Sequence, residues 1–283
     1  MKLILSCTVV LIVIFTGISS QAQVPPLTLY DNFESKYLDP DLWFAVGSAT
    51  TGGTVLDTAR QIKTEPISGK KVLYFLYRSY GDTGSDTGAP RLLNRLTFPS
   101  GGNITTIQSK VMVKKVEAGK CLTPGADDTD VEARIGGFFF NTGTPTPGDA
   151  TGDVFASIAL RRLSSSTSKP TVLEVVGSAF HYSNASCTTG SDVGTEQILG
   201  TVSTGQWVKL RITWDQAGDR FIFQKGKDPE KNLSYSPLSD TSAPGSENGG
   251  LKRLDLFELV ANCTSVPRPV GHIEVYFDDV FIN

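Results

Sequence analysis

Histidine is nearly absent from this chain: His181 and His272 are the only two among 283 residues. Neither has a companion at metal-ligand spacing, and no G-x-S-x-G elbow accompanies them. Zinc chemistry and a serine–histidine triad therefore lack their usual parts. Cysteine is scarce as well, with Cys7, Cys121, Cys187 and Cys263 and no C-x-x-C pair, which removes the common redox and structural-zinc motifs. Charge is balanced, 26 Lys and Arg against 29 Asp and Glu for a net −3, and no basic cluster interrupts that balance. A nucleic-acid partner needs such a cluster and is excluded. No stretch sustains helical spacing with caps, and no internal repeat is visible.

One long apolar run is present. Lys2 is followed by a nearly uninterrupted apolar stretch from Leu3 to Ile18, then by Ser19, Ser20, Gln21 and Ala22. A basic start, an apolar centre and a small-x-small edge are what signal peptidase reads. Residues 1–22 are therefore expected to be a signal peptide, and 23–283 one secreted domain, extracellular, periplasmic or at the cell surface, with no membrane span after cleavage. In an oxidising compartment three cysteines leave one disulfide and one free thiol. Cys121 and Cys187 both sit in polar, loop-like surroundings, which makes them the expected pair.

What fills the mature chain is short apolar segments of period two, separated by Gly, Pro, Asn, Asp and Ser clusters. Val154, Ala156, Ile158 and Leu160 alternate with Asp153, Phe155, Ser157 and Arg161. Val208, Leu210, Ile212 and Trp214 alternate with Trp207, Lys209, Arg211 and Thr213. Successive side chains of a strand point to opposite faces, so this pattern predicts half-buried strands. About a dozen of them at this spacing predict an all-β sandwich or barrel.

The chain opens on Asp31-Asn-Phe33 with Trp43, carries Trp207-Val-Lys-Leu-Arg-Ile-Thr-Trp-Asp215 late, and closes on Tyr276-Phe-Asp-Asp-Val280. These elements resemble the concanavalin A-like lectin/glucanase superfamily, with its laminin G-like jelly rolls the nearest in look. The resemblance implies a two-sheet antiparallel jelly-roll sandwich with its first and last strands adjacent. It also implies a sheet face on which many members bind extended sugar chains, so the implied partner is a polysaccharide or other glycan.

Candidate site residues follow from alternation. Unbroken pairing along the last strand sends Asp279 inward beside Ile273, Val275 and Phe277, where an uncompensated carboxylate is unfavourable. A structural Ca2+ held by Asp31, Asp279 and backbone oxygens is one solution, and the resemblance points the same way; a bulge that turns the aspartates outward is the other. Asp130-Val-Glu132-Ala-Arg134 places three charges on one strand face, where Glu132 and Arg134 could meet a sugar, with Tyr77 and Trp207 as aromatic candidates beside Tyr74 and Tyr80. The E-x-D-x-x-E motif of family 16 glycoside hydrolases is absent, because no glutamate is followed two positions on by an aspartate. Glu132 with Glu174 is the alternative catalytic pair. Asp82-Thr-Gly-Ser85 matches the aspartic protease signature, but its repeat at Asp86 lies in the same Gly-rich segment, so the two cannot come from separate lobes.

Missing catalytic signatures tilt the reading toward a secreted, non-enzymatic carbohydrate-binding or surface-adhesion protein. Two alternatives stand beside it. One is a glycoside hydrolase or polysaccharide lyase with a non-standard carboxylate pair. The other is a structural module of the cell envelope.

Overall fold

Alternating sequence becomes strand almost throughout the computed structural model, which describes residues 26–49, 53–245 and 251–283. The expected signal peptide and Cys7 lie outside the described residues. In chain order the strands are β1 (Thr28–Asp31), β2 (Phe44–Ala49), β3 (Thr54–Thr64), β4 (Lys71–Tyr80), β5 (Arg91–Thr97), β6 (Thr106–Ala118), β7 (Asp130–Asn141) and β8 (Asp153–Leu163). There follow β9 (Val172–Tyr182), β10 (Gly190–Asp192), β11 (Gln197–Ser203), β12 (Val208–Asp215), β13 (Arg220–Lys225), β14 (Lys231–Ser234), β15 (Lys252–Leu259) and β16 (Val270–Ile282). Two short 3-10 turns, Gly101–Asn103 and Gln216–Gly218, are the only helical segments among the described residues. None of the described helices is long and apolar enough to cross a membrane.

The strands form two antiparallel sheets. The first runs β14-β13-β12-β6-β16-β4-β3, with β1 also paired to β16; the second runs β10-β9-β8-β7-β15-β5-β2, with β11 also paired to β9. Chain ends meet as the resemblance implies: Thr28 stands opposite Ile282 and Leu29 opposite Phe281. That pairing gives the terminal strand a partner for its backbone groups instead of an open edge.

Between the sheets lies one core to which both contribute alternate residues, including Phe75, Val111, Ile135, Ile158, Leu210, Phe223, Leu254 and Phe277, all buried. Trp43 is buried within it, and Trp214 packs against it. Sheets pack roughly 10 Å apart, so large rings need small residues opposite. Gly177 on β9 is such a position: a Cβ there would come within 2.3 Å of the Phe223 ring.

The closing strand departs from simple alternation. Its register against β6 shifts between Asp278 and Phe281, and Asp279 takes a left-handed backbone with φ 46°. This bulge replaces Asp279 with Val280 in the core and turns the aspartate outward, where its carboxylate meets Lys110 Nζ at 2.5 Å. Asp31 is committed elsewhere, accepting from Trp43 Nε1 at 2.6 Å and from the Phe33 amide at 2.7 Å. Both carboxylates expected to hold calcium thus have partners within the chain, Asp279 a lysine and Asp31 two N–H donors.

The disulfide expectation is corrected too. Cys121 bonds Cys263, with Cα atoms 5.6 Å apart, and Cys187 is the free thiol. Polar surroundings were a poor guide, because what selects the pair is the meeting of the β6–β7 and β15–β16 connections at one end of the sandwich. There the 82–88 segment joins them. Asp86 accepts from the Thr264 amide at 2.8 Å, Asn262 accepts from the Asp82 amide at 2.6 Å, and Asp82 caps the turn at Gly84. The protease-like sequence is therefore a structural tie. Because the bridge spans 142 residues, loss of it in a Cys121→Ser/Cys263→Ser variant should lower unfolding free energy by about 2–5 kcal/mol, measurable by urea denaturation.

Two ionisable side chains occupy the interior face of β15. Lys252 is buried against the Phe139 ring, donates to the Phe138 carbonyl at 2.5 Å, and burial lowers its pKa to about 7. Glu258 is buried beside Ser79, whose hydroxyl donates to it, and burial pushes its pKa up to about 7. A carboxyl held neutral by the fold stabilises fully below the unfolded value near 4.5, and that contribution is lost as pH rises through about 7. Glu258→Gln should therefore gain more melting temperature relative to the parent at pH 8 than at pH 4, by up to about 3 kcal/mol in equivalent stability. Equal effects at both pH values would show that Glu258 is ionised in the folded state.

Candidate active site

Outward faces of the second sheet carry the polar residues that alternation leaves over. On β7 these are Asp130, Glu132 and Arg134, because Val131, Ala133 and Ile135 take the core positions. Antiparallel register places Phe257 and Arg161 on either side of Glu132, and Asp255 beside Arg134. It then places Glu174 next to Arg161. Directly opposed residues share a face, so Glu132, Arg161 and Glu174 form one row across three strands.

Beside Glu132 opens a cleft of about 250 Å³, lined also by Arg134, Tyr182, Glu196, Phe257 and Arg91 among others. Arg134 is buried and makes a two-pronged pair with Asp255, Nε to Oδ1 at 2.7 Å and Nη2 to Oδ2 at 2.9 Å. Its Nη1 lies 3.5 Å from Glu132 Oε2, and its guanidinium stacks 4.1 Å from the centre of the Phe257 ring. Arg253 lies on the other side of Asp255, with Nε to Oδ2 at 2.7 Å. Arg161 holds Glu196 at 2.7 Å and Glu174 at 3.4 Å. Arg91 donates to the Cys187 carbonyl and to the Tyr182 hydroxyl at 3.0 Å.

These contacts set the protonation of the cleft. Burial raises the Glu132 pKa, and although Arg134 and Arg161 oppose this, Asp255 and Glu196 reinforce it. Burial also raises Asp130, with Glu132 adding to the effect, and one of its oxygens, Oδ1, is buried with no hydrogen-bond partner. Asp255 goes the other way: burial favours its neutral form, but Arg134, Arg253 and Arg95 outweigh it and lower the pKa. The floor of the cleft thus holds Glu132, biased toward its acid form, beside Asp255, a carboxylate kept ionised by arginine.

Of the residues expected from sequence, Glu132 and Arg134 are brought together here. Glu174 shares their face but stands two strands away, half-exposed behind Arg161. Tyr77 belongs to the core instead, buried at 3% exposure, because β4 turns its odd-numbered residues inward; its place in a ligand site is corrected. Trp207 is exposed at 38% on the turn before β12, a strand of the other sheet, and does not line the cleft. His181 and Tyr182 point apart as neighbours on a strand do: Tyr182 lines the cleft, whereas His181 meets Thr142 Oγ1 at 3.0 Å. Sequence reading missed Asp255 and Arg253, although Lys252-Arg-Leu-Asp-Leu-Phe257 contains the signal, since Leu254 and Leu256 facing inward force Arg253 and Asp255 outward.

No family model matches the chain, and no curated protein matches it by sequence. Solved structures do share its architecture. The catalytic domain of an endo-1,3-beta-glucanase (laminarinase) from Thermotoga petrophila is 14% identical, with 92% of this chain and 98% of that one covered at a TM-score of 0.47. An alginate lyase, A1-II', is 12% identical over 78% and 82% at 0.36. The carbohydrate-binding module CBM66 from Bacillus subtilis is 12% identical over 82% and 96% at 0.33. Glycan-cleaving enzymes predominate among these neighbours, and the expectation of a non-enzymatic binding or adhesion protein is corrected accordingly. At such low identity the likeness concerns fold and supplies no activity. The strand order establishes a two-sheet antiparallel sandwich, the architecture that the concanavalin A-like resemblance implies.

Proposed function

We propose that this chain is a secreted glycan-active enzyme that hydrolyses glycosidic bonds in the cleft above β7. The observation that carries the proposal is Glu132, a carboxyl biased toward its acid form by burial at the floor of an open cleft. Glycoside hydrolysis needs one carboxylic acid to protonate the leaving oxygen and one carboxylate across the bond. Glu132 serves as the acid. Glu196, which lines the same cleft and is paired with Arg161 at 2.7 Å, is the ionised partner that takes the proton of the attacking water. It replaces Glu174 in the carboxylate pair expected from sequence. Aromatic and apolar side chains, Phe257, Phe155 and Tyr182 among them, offer surfaces for the C–H faces of a pyranose.

A specific observation favours hydrolysis over elimination. A lyase must neutralise the uronate carboxylate of its substrate, yet Glu132, Asp192 and Glu196 line the cleft against two guanidinium groups, and Arg134 is already paired with Asp255. The cleft therefore suits an uncharged glycan. A panel of neutral and uronate-containing polysaccharides, assayed for new reducing ends, tests this reading. Release from a neutral member is expected, and reaction confined to uronate chains would contradict it.

A further inference from the structure

A second groove lies on the outer face of the other sheet, at the end of the sandwich tied by the disulfide. Its volume is about 380 Å³, and Arg78, Tyr80, Lys120, Leu122, Pro267 and Arg268 are among its walls. Arg78 and Tyr80 come from β4, Lys120 from the turn after β6, and Arg268 from the segment leading into β16. The Gly119 amide donates to the Val270 carbonyl at 2.8 Å, fixing the floor.

The electrostatics are the reverse of the cleft's, where Glu132, Asp192 and Glu196 outnumber two arginines. Here, among the described residues, no carboxylate pairs with Arg78, Lys120 or Arg268, and Glu117, the one acid lining the groove, is exposed and unpaired. Arg268 is held in place by other means: its guanidinium sits 5.1 Å from the centre of the Tyr80 ring, and Nη1 donates to the Gly81 carbonyl at 3.2 Å. An arginine fixed on one side by a ring and a carbonyl keeps its remaining N–H groups oriented for a planar or tetrahedral anion.

We propose that this groove is a second binding site, distinct from the cleft, for an acidic sugar unit carrying a carboxylate or a sulfate. Arg78, Lys120 and Arg268 outnumber Glu117 along the groove, which leaves a net positive charge that a bound anion relieves. The groove is of a size for one or two sugar rings, and Leu122, Pro267 and Pro269 give it apolar walls that suit the C–H surface of a pyranose better than a bare phosphate chain. Such a site would hold the protein on an acidic matrix while the cleft works on a neutral chain.

Affinity electrophoresis of the whole protein through gels containing polygalacturonate, dextran sulfate or neutral dextran tests the proposal, with polygalacturonate and dextran sulfate telling a carboxylate ligand from a sulfate one. The parent should be retarded by at least one acidic gel and not by dextran. An Arg78→Ala/Arg268→Ala variant should bind about 10-fold or more weakly, as loss of charge-assisted hydrogen bonds requires. Lys120→Ala, an exposed change that leaves the fold intact, should also weaken retardation. Glu132→Gln should migrate as the parent does, which separates this site from the cleft whether or not hydrolysis is found. No retardation by either acidic gel, retardation unchanged in the groove variants, or equal binding to a DNA oligonucleotide would overturn the proposal.

Discussion

Glu132→Gln should fold as the parent does and lose about 10²–10⁴-fold in kcat, the range a general acid contributes. Glutamine keeps the size and polarity of the side chain but has no proton to give to the leaving oxygen. The pH profile supplies a second reading of the same residue. An acid catalyst works only while protonated, and burial raises the Glu132 pKa above its ordinary value of 4.5. The alkaline limb of kcat/KM should therefore fall above the range of an exposed carboxyl, and it should vanish in the residual activity of Glu132→Gln. Substrates with good leaving groups, which need no protonation, should be cleaved with a smaller loss. A uniform loss for all substrates, with the limb unmoved, would make Glu132 a structural residue.

The largest effect on stability is expected at Asp255. It is buried at 1% exposure and faces Arg134 and Arg253 at 2.7 Å each. Asp255→Ala would strand two buried guanidinium groups without their counter-charge, and breaking a buried pair by removing one partner typically destabilises by about 3–5 kcal/mol. The pH dependence follows from the lowered pKa of this carboxylate. Its contribution is present above the unfolded value near 3.8 and is lost as pH falls through the lower folded value. The parent should thus show an acid-induced loss of stability below about pH 4 that Asp255→Ala lacks. Urea denaturation between pH 3 and pH 7 measures both. A variant within about 1 kcal/mol of the parent would mean that the arginines find water instead, as exposed ion pairs do.

Much of this architecture could be read from alternation alone, because a core residue on a strand has no choice of face. Val154 through Leu160 and Val208 through Trp214 behave as their period predicts, and Glu132 with Arg134 emerges on the face that Val131 and Ala133 leave open. The misreadings share one cause: they depended on partners distant in sequence. Unbroken alternation sends Asp279 inward, and the bulge that the sequence leaves as the other solution shows only in the register against β6. Composition pairs Cys187 with Cys121, whereas the bond to Cys263 depends on which two connections meet. Tyr77 reads as a sugar platform until β4 is placed between β3 and β16. The cleft itself was half legible. Glu132 stands out in the sequence as half of an alternative carboxylate pair, but Glu196 precedes β11 outside any alternating segment and lines the same cleft only through the fold.

The central claim is that water, directed by Glu132 and Glu196, is added across a glycosidic bond. Digestion of a neutral polysaccharide in heavy-oxygen water, followed by mass spectrometry of the oligosaccharides, tests it most directly. The account predicts products carrying one labelled oxygen at the new reducing end, and none from Glu132→Gln. Unlabelled products lacking the mass of water would show elimination and contradict it, as would a neutral panel left wholly uncut by the folded parent.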